Sequence, residues 1–266
     1  MNIVKAHAYG NDFLLARAED AAGDLPSLAR AMCHRHTGVG ADGLVLYTLR
    51  DRGATMRLLN ADGSWSELSG NGLRCLAALV AHLQGLQVGA AITIDSDAGV
   101  KTLDLLGHTG RRFDFRADLG QPVDIRQVQI PVLGETITAT VLRTGNPQCV
   151  ILGPLPGDDR FAALGAALST HPSFPEGTNV EFAEVEAADR VRILIWERGV
   201  GPTSSSGTGS TAAAVAAAAH GGAARVVEVI APGGSQRVEW SDAGAYLTGW
   251  AELVMDGRWL GTGGSR

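Results

Sequence analysis

The chain has no surplus of positive charge: 22 Lys and Arg stand against 28 Asp and Glu, a formal charge of −6 with a pI near 5.6. Without a basic field there is nothing to hold nucleic acid or an anionic membrane surface, and a small-molecule partner is the expectation. Cysteine is scarce as well. Cys33, Cys75 and Cys149 are odd in number and widely spaced, so they form no disulfide framework and read as small buried side chains in a reducing compartment. There is no CxxC pair and no Cys/His cluster of the kind that holds zinc. Long apolar runs are missing too. The longest, Ala212 to Ala219, is far too short to cross a bilayer, and the opening MNIVKAHAYGNDF has no apolar stretch of the signal-peptide type, so a cytoplasmic location is expected.

Several familiar site motifs are also missing. No GK[ST] follows a glycine loop, and there is no GxSxG elbow for a hydrolase serine. The letters of Gly38 to Gly43, GVGADG, fit the dinucleotide fingerprint, but they follow HRHT rather than a hydrophobic strand, so no nucleotide cofactor is inferred. His34 and His36 diverge on a helix and have no third ligand in view. Asp95, Asp97, Asp158 and Asp159 read as turn and surface acids.

What the chain does have is glycine, 35 of 266 residues, in a composition that is 45% hydrophobic and 19% charged. That length suits two domains, or one domain duplicated, each large enough to bury its own core. Self-comparison favours duplication. Gly10-Asn11 lies 135 positions before Gly145-Asn146, and Arg57 lies 135 before Arg192. Ser69-Gly70-Asn71-Gly72 precedes Ser206-Gly207-Thr208-Gly209 by 137, and His82 precedes His220 by 138. Four landmarks within three residues of one offset mark a repeat.

Each half follows one order: an alternating strand (Met56 to Leu59, Val191 to Trp196), a polar turn, then Ser-Gly-x-Gly opening a helix (Leu73 to Leu83, Thr211 to Ala219). The second helix is nearly all alanine, hence thin, and with no polar face it is expected inside a curled sheet. Short alternating segments such as ITIDS, RRFDF, VQIPV, ITATV, RVVEV and QRVEW complete an α+β pattern rich in antiparallel sheet. The halves are expected to be 1–119 and 120–250, with a strand in 251–266 returning to the first.

A helix N-terminus offers N–H groups and the positive end of a dipole, so it suits a carboxylate or phosphate, and glycine lets the ligand approach the backbone. Two such termini from pseudo-symmetric halves, facing each other across a cleft, would place one serine on each face of a small anion. That geometry takes a proton from one side of a carbon and returns it from the other.

On these residues the chain resembles the diaminopimelate epimerase family. The shared motifs are GNDF (Gly10 to Phe13), GVGADG (Gly38 to Gly43), NADGS (Asn60 to Ser64), SGNGLRC (Ser69 to Cys75), GNPQC (Gly145 to Cys149), GTNVEF (Gly177 to Phe182), ERGVGPT (Glu197 to Thr203) and SGTG (Ser206 to Gly209), in the family's order. The resemblance implies two pseudo-symmetric domains, each a curled, mostly antiparallel sheet around a central helix, with the active site in the cleft between them. It implies a cofactor-independent isomerase of lysine and peptidoglycan-precursor synthesis that epimerises the α-carbon of an amino-acid substrate, LL- to meso-diaminopimelate, with a homodimer left open. It further implies that Asn11, Asn60, Asn146, Asn179 and Arg198 line the substrate pocket, Arg198 as a bidentate partner for the far carboxylate. Glu197 would face an ammonium group, while Gly70-Asn71 and Gly207-Thr208 would hold the reacting α-carboxylate and stabilise the carbanion-like transition state.

The chain departs from the family where two cysteines normally carry the protons: Ser69 and Ser206 occupy those places. A thiol can be drawn to a useful thiolate fraction at a helix N-terminus, whereas a serine hydroxyl needs an adjacent base, and none is evident in sequence beside either serine. Serine is also a preferred N-cap, which alone explains Ser-Gly-x-Gly before a helix. Three readings stay open: two-base epimerisation by serines, a related racemase or dehydratase for another amino acid, and a silent ligand-binding form. Gln148 replaces the family's common histidine and is either an altered substrate contact or an equivalent hydrogen-bonding side chain.

Overall fold

The structure, a computed structural model, describes residues 1–261; residues 262–266, the end of the stretch expected to return to the first half, lie outside them. The chain divides into unit 1, Met1–Ala117 together with the residues from Gly249 onward, and unit 2, Asp118–Thr248. Unit 1 runs β1 (Asn2–Ala8), β2 (Asn11–Arg17), α1 (Leu25–Cys33), β3 (Gly43–Arg50), β4 (Gly53–Asn60), β5 (Trp65–Ser66), α2 (Gly70–Gln84), β6 (Ala91–Ser96), β7 (Gly99–Thr109) and β8 (Arg112–Gly120), whose last residues enter unit 2. Unit 2 runs β9 (Val123–Val132), β10 (Glu135–Arg143), β11 (Pro147–Leu152), α3 (Asp158–Ser169), β12 (Asn179–Ala187), β13 (Arg190–Glu197), β14 (Gly201–Thr203), α4 (Gly207–His220), β15 (Val226–Ala231), β16 (Gly234–Ser241) and β17 (Gly244–Arg258), which carries the chain back into unit 1.

The sequence repeat is a repeat of strand pairings. In unit 1, β1–β2 is antiparallel, β2–β3 parallel, β3–β4 antiparallel, β4–β6 parallel and β6–β7 antiparallel. The pairs β10–β11, β11–β12, β12–β13, β13–β15 and β15–β16 of unit 2 follow with the same senses. The later part of β17 pairs with β1, Asn2 opposite Arg258, as β9 pairs with β10. Each unit is α+β, mostly antiparallel, with one helix inside.

That inner helix is α2 in unit 1, touching β1, β2, β3, β4, β6 and β7, and α4 in unit 2, touching β10 to β13, β15 and β16. Leu73, Leu76, Leu79 and Val80 of α2 are fully buried, each contributing about 1.5–3 kcal/mol of transfer free energy. Alanines serve the same purpose in α4, where Ala212, Ala213, Ala216 and Ala217 let strands close in on every side. Both helices are longer than periodicity suggested, because their glycine first turns are already helical and are held by serine caps. At the far end of α2, Gly85 takes the left-handed conformation (φ 61°) and its N–H closes on Ala81 and His82 carbonyls.

The outer helices cover the other sheet faces. Asp24 caps α1, whose Ala29, Met32 and Cys33 pack on Leu14, Leu44, Leu46 and Leu59. In α3, Leu164 and Leu168 join Val180 and Phe182, and Gly165 lies so close to the Trp196 ring that a Cβ there would stand 2.7 Å away. All three cysteines are buried, and burial pushes each thiol up, Cys33 to about 12. Among the described residues no helix is long and apolar enough to cross a membrane.

Candidate active site

Tight turns deliver Asn11 in unit 1 and Asn146 in unit 2. Ala8 pairs with Asn11, leaving Tyr9 (φ 56°) and Gly10 (φ 88°) as a two-residue loop whose positive angles match a type I′ hairpin. Asn11 therefore heads β2. In unit 2, Arg143 pairs with Pro147, so Asn146 sits in the corresponding three-residue turn beside Gly145 (φ 88°).

Ser69 is the N-cap of α2, its Oγ accepting from Gly72 N at 3.1 Å, and Ser206 is the N-cap of α4, its Oγ accepting from Gly209 N at 3.2 Å. Leu73 N bonds Ser69 O and Ser210 N bonds Ser206 O in the same way. The backbone N–H groups of Gly70 and Asn71, and of Gly207 and Thr208, lie in the first turns that helix geometry leaves outside the i→i−4 ladder. Each serine oxygen thus stands at the positive end of a helix and receives an N–H bond, an environment that favours an anionic oxygen.

Unit 1 supports its serine with a polar chain. Asn71 Nδ2 donates to Asn11 Oδ1 (3.0 Å), Asn11 Nδ2 donates to Asp42 Oδ2 (2.8 Å), and Arg74 Nη2 donates to Asn71 Oδ1. Arg35 Nη2 reaches both Asp42 (2.6 Å) and Asp12 (2.9 Å), and Lys5 Nζ lies 2.8 Å from Asp12. Burial works to raise the Asp12 carboxyl, but Arg35 and Lys5 outweigh it and hold the group below its ordinary value. Arg74 is wholly buried, its guanidinium 5.8 Å from the Tyr9 ring centre. Asn60 ends β4, where its Nδ2 donates to Ser64 Oγ at 3.0 Å. The chain of contacts joins Ser69's turn to Asn11 and Asn71, while Asn60 is held by its own turn.

Unit 2 is built differently. Thr144 Oγ1 donates to Thr208 O at 3.3 Å, and Asn179 Oδ1 accepts from Arg198 N at 2.9 Å. Arg198 is exposed, its guanidinium on the Glu176 carbonyl, and Glu197 is half-buried at the end of β13. The network turns the Gln148 amide nitrogen to Glu181, donating to Oε1 at 2.9 Å and Oε2 at 3.2 Å, while its oxygen accepts from Asn179 Nδ2 at 3.3 Å and lies 2.6 Å from the Asn146 amide. Gln148, Asn146 and Asn179 thereby form one cluster. Gln148 also borders a cavity of about 210 Å³ lined by Arg143, Pro147, Phe174, Glu176 and Gly177 among others.

Sequence reasoning found no base beside either serine; the structure supplies a carboxyl next to one of them. Glu181 in β12 is fully buried, and burial, with the Glu197 charge nearby, pushes its carboxyl well above the ordinary value. Twenty-five residues separate it from Ser206, and its setting in NVEF, a buried strand run, gives no local signal. Asp12, Asp42, Arg35 and Arg74 were likewise unremarkable as single letters, because their significance lies in pairings across β2, β3 and α2.

Two α+β repeats, each built around a central helix, define a class of fold that also contains a hydroxyproline epimerase from Agrobacterium vitis, with a TM-score of 0.70 over 97% of this chain and 90% of that one, at 16% identity. At that identity the likeness is one of fold. The sequence profile described as diaminopimelate epimerase matches residues 3–123 and 140–254. The diaminopimelate epimerase of Desulforudis audaxviator is 41% identical, covering 98% of this chain and 99% of its own, and that of Moorella thermoacetica is 40% identical, covering 97% and 98%. The chain belongs to the diaminopimelate epimerase family.

Proposed function

We propose that this chain epimerises the α-carbon of LL-diaminopimelate to the meso form without a cofactor, as part of lysine and peptidoglycan-precursor synthesis in the cytoplasm. The observation that carries the reading is the doubled serine cap, one hydroxyl oxygen at the N-terminus of the inner helix in each repeat; the motif resemblance supports giving these two serines the acid/base places. In this reading both half-sites serve one substrate. The first-turn N–H groups at Gly70-Asn71 and Gly207-Thr208 hold the α-carboxylate, and their dipoles stabilise the negative charge that develops on the substrate as its α-proton leaves. One serine accepts that proton while the other delivers a proton to the opposite face. Glu197 takes an ammonium group, and Asn60, Asn146, Asn179 and Arg198 take the far carboxylate, with Asn11 beside the α-centre.

Incubation with LL-diaminopimelate in heavy water, followed by NMR at the α-position, tests the reading. Deuterium entry with inversion is expected. Binding without exchange would instead identify a silent ligand-binding form, and an elimination product would identify a dehydratase. The S69C/S206C double variant is expected to turn over faster than the parent, because a thiol reaches its anion near neutral pH and a hydroxyl does not; no gain would count against the placement of the site.

A further inference from the structure

The two serine caps match in geometry but not in what lies behind them. Glu181 is the third residue of β12, and the third residue of β3, its counterpart in the other repeat, is the fully buried Val45. The same contrast holds at the third helical residue. A Cβ on Gly209 would stand 2.6 Å from Glu181 Oε1 and 3.2 Å from Ser206 Oγ, whereas one on Gly72 would meet Met56 Cε at 3.2 Å and Ser69 Oγ at 3.5 Å. Thus Glu181 Oε1 and Ser206 Oγ flank one point, a separation that one bridging water can span. In the first repeat the corresponding point is flanked by the Met56 methyl, and the strand position is Val45.

Building on the epimerase reading, we propose that Glu181 is a proton-accepting positioning residue for Ser206 alone, which makes the two half-sites chemically unequal. When Ser206 removes the α-proton, the bonds balance as follows. The Cα–H proton goes to Ser206 Oγ, the Ser206 hydroxyl proton goes to the Glu181 carboxylate, and the C–H electron pair stays on the α-carbon. Ser69 then gives its hydroxyl proton to the opposite face and recovers one from solvent water, to which Glu181 returns its own. Gln148 orients the acceptor by donating to both Glu181 oxygens. The groups packed against Glu181 are Gln148 and Cys149 from β11, Glu197 from β13, and Ser206 with Gly209 at the head of α4. Burial, with the Glu197 charge nearby, raises this carboxyl above its ordinary value and so makes its carboxylate the stronger base.

The experiment compares α-proton exchange out of the LL and meso isomers in heavy water. E181Q is expected to slow exchange out of one isomer by on the order of 10²-fold or more, with a smaller effect on the other, and to remove the corresponding inflection from its pH profile. G209A, which adds only a methyl in a helical position, is expected to reproduce the isomer bias by wedging Glu181 away from Ser206. Equal losses for both isomers would overturn the proposal. In an S206C background, where the thiol supplies its own anion, adding E181Q should have little effect; an undiminished loss there would show a merely structural role.

A readout independent of turnover separates this proposal from the epimerase reading. The alkylation rate of the thiol introduced by S206C, followed against pH, should carry a second inflection that disappears in S206C/E181Q; the native cysteines are buried and react slowly. A profile unchanged by E181Q overturns the pairing. The inflection present in S206C, together with no exchange by the parent chain, would sink the epimerase reading and leave the pairing intact.

Discussion

Asn71 Nδ2 donates to Asn11 Oδ1 at 3.0 Å, a bond that joins the first turn of α2 to the head of β2. Arg74 occupies Asn71 Oδ1 and Asp42 occupies Asn11 Nδ2, so both amide orientations are dictated by charged groups. With Asn11 Oδ1 engaged by Asn71 and one of its amide hydrogens by Asp42, the donor capacity left on Asn11 suits an acceptor such as a carboxylate.

Replacing Asn11 by alanine should therefore cost function as well as stability. It removes two hydrogen bonds of the network, together worth about 1–2 kcal/mol of stability, and takes from the first turn of α2 its tie to β2. A loss in kcat/KM of about 10-fold or more is expected, each tenfold being about 1.4 kcal/mol of transition-state binding. Urea denaturation beside steady-state kinetics checks it; a loss of stability with kcat/KM unchanged would mean that the amide acts only as scaffold.

Acid should loosen unit 1 through Asp12. Its folded pKa lies below the ordinary value of 3.8, so the carboxylate's stabilisation is complete above that value and is lost as pH falls through the lower folded pKa. D12N removes this dependence because its amide does not titrate. Urea midpoints measured across that acid range should converge for D12N and the parent at the lowest pH and separate above it. Curves that run parallel would show that Asp12 is not linked to folding.

Much of this architecture was legible before any coordinates, and the reason is periodicity. Gly-Asn at 10 and 145 marks the hairpin turns, Arg57 and Arg192 mark β4 and β13, and Ser-Gly-x-Gly marks the inner helices, because turns, edges and caps each restrict the residue types they accept. Helix length was underestimated in both units, since glycine weakens helical periodicity just where a serine cap restores the first turn. Glu181 could not be read at all. Its strand register, opposite Val150 on one side and Ile195 on the other, brings it under α4, and register across a parallel pair has no signature in neighbouring letters.

The serine caps can be separated from serine chemistry by glycine. Alanine at an N-cap costs about 1 kcal/mol, glycine only a few tenths. S69G and S206G should accordingly stay close to the parent in thermal stability while losing α-proton exchange, whereas S69A and S206A lose both. If the glycine variants kept exchange, each serine would be a cap and nothing more.

Glu181 should reveal itself in stability with a sign opposite to that of Asp12. Its carboxyl is raised in the folded chain, so the folded state holds the proton more tightly than the unfolded state does. Stability is therefore full below the unfolded value near 4.5 and falls as pH rises towards the folded value. E181Q keeps the size of the side chain and abolishes the burial of a charge, so its stability curve should be flatter above that pH and should lie at or above the parent's at neutral pH, even as exchange out of one isomer collapses. Such a variant, no less stable and less active, is the signature of a carboxyl kept in the interior for proton transfer against its own solvation. A variant that is destabilised at neutral pH would instead show that Glu181 contributes to stability through its bonds to Gln148, and the reading of a carboxyl buried against its own solvation would be overturned.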